Sequence, residues 1–278
     1  MRSIIPRIPR STALSIFLGS VLAAAGTLFA PAAAASPSDT PAMAQHARET
    51  PDAPGRADIA AAPSGVPGID VSHHNGSIDW AKVAGSGVRF SYIKATEGTG
   101  FKSPAFNTNY TGSYQAGLIR GAYHFARPDV SGGAAQAEYF AANGGAWSAD
   151  DQTLPGALDL EDTSAAPHCY GKSPSQIVSW VRDFSDTYRK LTGRDVVLYT
   201  SAGWWNDCAG GSGAFASTNP LWVASWTSAD RPTIPAGFGV HTFWQYTDKG
   251  SVPGIGGNTD LNVFNGSAER LLALANNT

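Results

Sequence analysis

Leu154-Pro-Gly-Ala-Leu-Asp-Leu-Glu-Asp-Thr163 is a short apolar run that carries two acids, Asp159 and Glu161, two residues apart. If the run is a strand, its side chains alternate between the two faces of a sheet. Leu158 and Leu160 then face covering helices, whereas Asp159 and Glu161 share the other face. Two carboxylates that are held close together repel, so one of them tends to keep its proton at neutral pH. The stretch therefore predicts a proton donor beside an anion, which is what general acid catalysis needs.

The Asp-x-Glu triplet is a weak signal when it stands alone. Acids often end strands and cap helices, and Asp162 and Thr163 could form such a cap. Short motifs of this kind also arise by chance in many proteins. The rest of the chain has to decide between a structural and a catalytic interpretation.

The N-terminal residues 1–35 have the organisation of a secretory signal peptide. Arg2, Arg7 and Arg10 form a positively charged start, and an apolar run over residues 13–29 follows it, ending before a series of small residues. A retained membrane anchor is the alternative interpretation of this segment. No later stretch is long and apolar enough to cross a bilayer. We therefore expect a secreted, extracellular protein without stable membrane association.

The next segment, residues 36–65, is rich in Ala, Pro and Ser and poor in aromatic residues. This composition is typical of a disordered linker or a pro-segment. The folded domain is then expected to span residues 66–278, a length that suits one barrel-sized α/β domain.

The charge of the exported part argues against a nucleic-acid-binding protein. Residues 1–35 hold three of the 19 basic residues and none of the acidic ones, so 16 basic residues remain against 22 acidic ones, a net charge of −6. Nucleic-acid-binding proteins carry basic patches or stripes instead. An acidic sugar-binding cleft is compatible with this balance, and we expect the protein to be a monomer.

The chain has two cysteines, Cys169 and Cys208, and both lie in the exported part. Outside the cell such a pair is expected to form a disulfide. The six histidines lack the spacing of a metal site, and neither a phosphate-binding loop nor a nucleophile elbow is present. The sequence therefore implies no metal and no cofactor.

Strand-like and helix-like segments alternate along the folded part. Segments with β-branched, aromatic or apolar character predict eight strands, near residues 66–72, 88–95, 118–125, 154–161, 195–200, 221–226, 240–246 and 259–264. Helical periodicity and capping signals predict helices near residues 80–84, 104–116, 131–143, 174–191 and 268–275. The order is five βα-like units followed by three strands and a final helix.

This alternation implies a largely parallel sheet with right-handed crossovers. Eight strands indicate an α/β protein with an irregular TIM-like barrel whose later helices are short or missing. In such barrels the active site lies at the C-terminal ends of the strands. The residues that fall at those ends are Asp70, Glu97, Tyr123, Asp159, Glu161 and Tyr199.

Taken together, several short segments resemble family 25 of the glycoside hydrolases, the secreted N-acetylmuramidases or lysozymes. The matching segments, in chain order, are Gly68-Ile-Asp-Val-Ser72, Ile78-Asp-Trp80, Ile93-Lys-Ala-Thr-Glu-Gly98, Gly121-Ala-Tyr-His-Phe125, Leu158-Asp-Leu-Glu161, Leu198-Tyr-Thr200, Phe243-Trp-Gln-Tyr246 and Asp260-Leu-Asn262. Each segment is short, but eight in one order make a strong signal. The resemblance implies an irregular barrel with five βα units followed by three strands.

The resemblance also implies an activity, namely hydrolysis of the β-1,4 bond between N-acetylmuramic acid and N-acetylglucosamine in peptidoglycan glycan strands. In the pattern of this family, Glu161 matches the general acid and Asp159 matches the acid that assists it. Asp70 and Asp260 match two further acids of the cleft. We expect substrate-assisted catalysis, in which the acetamido oxygen of the sugar attacks the anomeric carbon.

Several side chains are candidates for binding the sugar. The aromatic candidates are Tyr123, Tyr199, Trp226, Trp244 and Tyr246, with Trp226 and Tyr246 favoured because they end strands, and Gln245 lies beside Tyr246 in one matching segment. For each aromatic residue a place in the core is an equal alternative, because aromatic side chains dominate cores. Lys94 and Glu97 could contact substrate or form an ion pair with each other. His73 and His74 stand where family members vary and are interpreted as polar loop residues at the cleft edge.

Two other functions remain open from the sequence. A chitinase-like or endo-N-acetylglucosaminidase barrel also uses an Asp-x-Glu pair, but such enzymes usually carry further acids upstream, where this chain has Leu154, Gly156 and Ala157. A non-catalytic barrel that only binds cell-wall glycan is expected to lose one of the two acids, and both are present.

Overall fold

The computed structural model describes residues 57–58 and 62–278. The predicted signal peptide and most of the predicted linker lie outside the described residues. The strands are β1 (Ala57–Asp58), β2 (Val66–Val71), β3 (Phe90–Glu97), β4 (Phe101–Lys102), β5 (Ile119–Phe125), β6 (Ala157–Asp159), β7 (Val197–Ser201), β8 (Leu221–Ala224), β9 (Phe243–Ser251) and β10 (Thr259–Phe264). The helices are α1 (Trp80–Gly85), α2 (Phe106–Gln115), α3 (Gly133–Phe140), α4 (Pro174–Thr192), α5 (Ala202–Cys208) and α6 (Ala268–Asn276).

Eight of these strands close into a mixed barrel in the order β2, β3, β5, β6, β7, β8, β9 and β10. The contacts from β2 through β9 along this path are parallel, whereas β10 runs antiparallel to both β9 and β2. Helices α1 to α5 follow the first five barrel strands, and the last three strands are joined by loops. The predicted barrel of five βα units followed by three strands is therefore confirmed.

Two hydrophobic cores result from the alternation of side chains along the strands. The inner core fills the barrel with large rings, including Phe90, Tyr92 and Phe243. The outer core lies between the barrel and its helices and contains Leu158 and Leu160. The expectation that these leucines face the covering helices is thus met, and the acids that alternate with them turn toward the barrel interior.

Helix α4 begins where the sequence predicts it. The side chain of Ser173 accepts a hydrogen bond from the Gln176 backbone N–H, and the Ser173 backbone N–H donates to the Gln176 side-chain oxygen, which is a capping box. Pro174 occupies the first turn, and Gly193 ends the helix in the left-handed conformation with φ 74°. The aromatic stripe of this helix packs into the outer core.

The structure differs from the sequence prediction at several places, three of which concern the site or the ends of the domain. The ladder of the fourth barrel strand ends at Asp159, so Glu161 lies just beyond it. Helix α5 was not predicted, because its seven residues are too few for periodicity to be seen. Strand β1 lies within the segment that was predicted to be a linker, and its residues Ala57 and Asp58 pair with Gly250 and Ser251 of β9.

Candidate active site

Asp159 and Glu161 lie together at the C-terminal end of β6, and both are buried, with 1% and 7% of their surface exposed. The backbone there is fixed by hydrogen bonds from Ala126 N–H to Asp159 O and from Leu160 N–H to Tyr199 O. Within the described residues, no donor group reaches either carboxylate oxygen of Asp159 or Oε1 of Glu161. The two carboxyls can satisfy each other only when one of them carries a proton.

Burial and mutual repulsion decide which carboxyl holds that proton. Burial raises the pKa of Glu161 well above its usual range, and the neighbouring Asp159 raises it further. Burial also raises the pKa of Asp159, but the Lys94 ammonium and the hydrogen bond from Glu161 both lower it. Of the two carboxyls, Glu161 therefore holds a proton more tightly than Asp159.

A second pair of acids stands on neighbouring antiparallel strands. Asp70 on β2 is directly opposite Asp260 on β10, a placement in which like charges destabilise a sheet. Burial raises the pKa of Asp70 from 3.8 to about 6. Burial and the charge of Asp70 raise the pKa of Asp260 well above its usual range. The charge of Asp159 also raises the pKa of Asp260. The structure therefore brings all four predicted acids into one site.

Asp70 is held by two amides. Asn262 Nδ2 lies 2.6 Å from Asp70 Oδ2, and Gln245 Nε2 lies 3.2 and 3.1 Å from Oδ1 and Oδ2. The amide of Asn262 is oriented in turn by Trp222, whose Nε1 donates to its oxygen over 2.8 Å. Asn262 belongs to the Asp-x-Asn segment, in which only Asp260 was predicted to have a role.

Gln245 is the centre of this buried network. Its oxygen accepts hydrogen bonds from the Tyr199 hydroxyl at 2.9 Å and from Trp226 Nε1 at 3.1 Å, while its nitrogen donates to Asp70. Gln245, Trp226 and Tyr199 are all at most 3% exposed. Tyr199, Trp226 and Gln245 were expected to contact substrate, and the structure places them behind Asp70, with their polar groups directed at one another.

Lys94 and Glu97 form the ion pair that was one of the two expectations for them. Lys94 Nζ lies 2.8 Å from Glu97 Oε2, and Arg127 Nη1 lies 3.3 Å from Glu97 Oε1. The Lys94 ammonium also sits 4.6 Å from the centre of the Phe125 ring. Lys94 is therefore a fixed positive charge beside the acids, and Arg127, which the sequence analysis missed, is the second cation on Glu97.

The remaining three aromatic candidates, Tyr123, Trp244 and Tyr246, have different surroundings. Tyr123 lies in the inner core, where the charges of all four acids raise the pKa of its hydroxyl above the level set by burial. Tyr246 follows Gln245 on β9 and therefore points to the opposite face, where it packs against Trp244 in the outer core. The structure thus brings Tyr123 to the acids and does not bring Tyr246 there.

The predicted pairing of the two cysteines is confirmed, since Cys169 and Cys208 are joined by a disulfide.

Chemically, the site offers one buried carboxylic acid, one buried carboxylate and a second acid pair on the opposite wall of the barrel mouth. This arrangement suits protonation of a leaving oxygen together with stabilisation of positive charge at carbon.

Comparison with known proteins assigns this site to a family of enzymes. The family model described as "Glycosyl hydrolases family 25" matches residues 69–255. Among curated proteins, "Lysozyme M1" of Streptomyces globisporus is 56% identical over 215 residues, which cover 77% of this chain and 73% of that protein. The "N,O-diacetylmuramidase" of Chalaropsis sp is 45% identical over 213 residues, which cover 76% of this chain and 99% of that protein.

Solved structures show the same relationship. The bacterial lysozyme from Streptomyces coelicolor is 56% identical and superposes with a TM-score of 0.76 over 77% of this chain and 99% of that one. The muramidase from Acremonium alcalophilum is 52% identical, with a TM-score of 0.73 over 77% of this chain and all of that one.

Proposed function

The chain belongs to family 25 of the glycosyl hydrolases, and we propose that it cleaves the β-1,4 bond between N-acetylmuramic acid and N-acetylglucosamine, with Glu161 as the general acid. The enzyme is a glycoside hydrolase with muramidase activity on peptidoglycan. The observation that carries the proposed residue roles is the buried Asp159–Glu161 pair, in which both oxygens of Asp159 and Oε1 of Glu161 lack donors within the described chain. Such a pair can share a proton and release it to a glycosidic oxygen.

In the proposed mechanism the sugar supplies the nucleophile. Glu161 donates its proton to the leaving oxygen while the acetamido carbonyl oxygen of the same sugar attacks the anomeric carbon, which breaks the glycosidic bond and forms an oxazolinium ring. The Asp159 carboxylate accepts a hydrogen bond from the acetamido N–H and stabilises the positive charge. Glu161, now ionised, then takes a proton from water, whose oxygen opens the ring with net retention at the anomeric carbon.

The Asp70–Asp260 pair supports this cycle electrostatically. A negative charge on Asp260 raises the pKa of Glu161, so the share of the pair's charge that lies there helps Glu161 to keep its proton until the substrate accepts it. The amides of Gln245 and Asn262 hold Asp70 in place opposite Asp260. We propose that Gln245, Tyr199 and Trp226 act on the sugar through Asp70, and that Tyr123 contacts it directly.

The test of the residue assignment is Glu161→Gln, which keeps the shape of the side chain and removes its proton donor. We expect release of new reducing ends from purified peptidoglycan to fall by at least about 10³-fold, with folding retained by circular dichroism. Glu138→Gln makes the same change on the exposed face of α3 and should leave the rate unchanged. Near-normal activity of Glu161→Gln would refute the assignment.

The stereochemical course tests the participation of the acetamido group. Proton NMR of the first-formed product should show the β-anomer, the configuration of the bond that was cut, before mutarotation mixes the anomers. An initial α-anomer would indicate direct attack by water and exclude the substrate-assisted route.

The substrate range is proposed to include glycan with O-acetylated muramic acid. Two relatives that are 45% identical to this chain are both called N,O-diacetylmuramidase. Digestion of O-acetylated peptidoglycan and of the same material after mild base treatment should then proceed at similar rates. Cleavage confined to the base-treated material would contradict this part of the proposal.

The place of action is proposed from the N-terminal sequence. Residues 1–35 predict export, so the enzyme would act outside the cell. Among the helices of the described residues, none combines the length and the apolarity that a membrane crossing requires. Mass spectrometry of the protein from culture medium should find a mature N-terminus beyond residue 35, and sedimentation should find the expected monomer.

A further inference from the structure

The backbone of Glu161 is held from outside the strand that carries it. The β6 ladder ends at Asp159. Beyond it, the carbonyl oxygen of Glu161 lies 2.6 Å from the hydroxyl of Tyr170, which also lies 3.0 Å from the carbonyl oxygen of Ala126. The phenol is 5% exposed and donates its hydrogen between the two carbonyls. One buried hydroxyl therefore joins the end of β6 to the end of β5 at the position of the general acid.

The turn that carries Tyr170 has an unusual backbone. Cys169, Tyr170 and Gly171 adopt positive φ values of 53°, 57° and 65° in succession. Non-glycine residues occupy this left-handed region only when surrounding structure fixes them. The fixing contact at Cys169 is its disulfide to Cys208, the last residue of α5. The ring of Tyr170 packs into the outer core from the same turn.

Asp162, the residue after Glu161, is bound to this turn and to α5. Its Oδ2 lies 2.6 Å from His168 Nδ1, and its Oδ1 accepts hydrogen bonds from the Cys169 backbone N–H at 3.1 Å and from Trp204 Nε1 at 3.0 Å. Trp204 is a fully buried residue of α5. The backbone just after Glu161 is thus held at two points, by Tyr170 at the Glu161 carbonyl and by the contacts of Asp162 at the next residue.

We propose that Tyr170 and Asp162 are positioning residues, which hold the Glu161 carboxyl at the reacting bond through the turn that the Cys169–Cys208 disulfide fixes. This inference rests on the proposed role of Glu161 as general acid. The geometry explains why a catalytic group can lie beyond the ladder of its strand and still be fixed. A misplacement of about 1 Å at a catalytic group can lower the rate about 100-fold.

The direct test is Tyr170→Phe, which removes only the hydroxyl. The matched control is Tyr92→Phe, because Tyr92 is also a buried tyrosine, and its hydroxyl donates over 3.0 Å to the carbonyl of Pro155, before the other end of β6. Both variants should lose similar stability in thermal unfolding. We expect kcat to fall about 10- to 100-fold for Tyr170→Phe, with KM within about two-fold of the wild type, and to change little for Tyr92→Phe.

The pH profile separates positioning from a loss of stability. The charged groups whose fields reach Glu161 are Asp159, Lys94 and Asp260. If Glu161 shifts away from Asp159 and out of its buried position, its pKa falls toward the usual range. The basic limb of the kcat/KM profile should then move to lower pH in Tyr170→Phe and stay in place in Tyr92→Phe.

A second variant keeps the inference testable if Tyr170→Phe does not fold. Asp162→Asn keeps one acceptor oxygen for Trp204 and Cys169 while it disturbs the contact with His168, and it should shift kcat and the basic limb in the same direction. Wild-type kcat and pH profile in a folded Tyr170→Phe or Asp162→Asn protein would overturn the inference. If Glu161→Gln is inactive in the same assay, the role of Glu161 as general acid survives that result; if Glu161→Gln is active, that role itself fails.

Discussion

Replacing Asp70 by asparagine is expected to stabilise the protein at pH 7 while it lowers the activity. Burial raises the pKa of Asp70 from 3.8 to about 6, even though the amides of Asn262 and Gln245 lower it. A difference of about two pKa units corresponds to about 3 kcal/mol of native-state cost at neutral pH. In the variant, the side-chain NH2 group of the new asparagine faces the donor NH2 group of Gln245 or Asn262. The hydrogen bond that is lost there costs about 1 kcal/mol. The net gain is therefore about 2 kcal/mol.

The sign of this effect depends on pH. A carboxyl whose folded-state pKa is raised contributes its full stability below the unfolded pKa of 3.8, and that contribution is lost as pH rises toward the folded value of about 6. The wild type should lose stability relative to Asp70→Asn across this window. Below pH 3.8 the order should reverse, because the wild-type carboxyl is then neutral and the variant still lacks one good hydrogen bond.

Thermal unfolding from pH 3 to pH 7 measures this crossover. At pH 7 a gain of about 2 kcal/mol corresponds to a rise in Tm of roughly 4–8 °C for a domain of this size. Asp230→Asn, at an exposed loop position, is the control and should show no crossover. A difference between wild type and Asp70→Asn that is constant with pH, or a less stable variant at pH 7, would refute this account of the buried acid.

Three further changes test the network around the acids. Gln245→Leu removes the oxygen that accepts from Tyr199 and Trp226 and should cost about 2–4 kcal/mol in urea unfolding, so a neutral result would contradict the network. Lys94→Met removes the charge that lowers the pKa of Asp159, so the acidic limb of the kcat/KM profile should move to higher pH. An unmoved limb would show that Lys94 does not lower the pKa of the group that governs this limb. The double variant Cys169→Ala/Cys208→Ala opens a disulfide that spans 39 residues and should lose up to about 4 kcal/mol of unfolding free energy, whereas an unchanged Tm would exclude that constraint.

The barrel was predictable because its signals are local and repeated. Apolar strands separated by capped helices fix the order of the elements, as Ser173 and Gly193 show at the two ends of α4. Helix α5 was missed because its stability comes from tertiary contacts, chiefly the burial of Trp204 and Trp205 and the disulfide at its end. Seven residues with a glycine near the start give no periodic signal of their own.

The acids could be predicted and their supporting residues could not. Alternation along a strand places Asp159 and Glu161 on the face opposite Leu158, so a short pattern was enough. The same alternation means that Gln245 and its neighbour on β9 cannot both face the acids, but only the pairing of β9 with its neighbours decides which one does. Tyr170 gave no signal, because its role depends on a left-handed turn fixed by contacts distant in sequence.

The reducing end that digestion creates tests the central claim most directly. Purified peptidoglycan would be digested to completion, reduced with borohydride and analysed by mass spectrometry for the sugar at each new end. The account predicts reduced N-acetylmuramic acid from the wild type and none from Glu161→Gln. Reduced N-acetylglucosamine would contradict the proposed bond specificity, and absence of cleavage by a folded wild-type protein would contradict the catalytic assignment of Asp159 and Glu161.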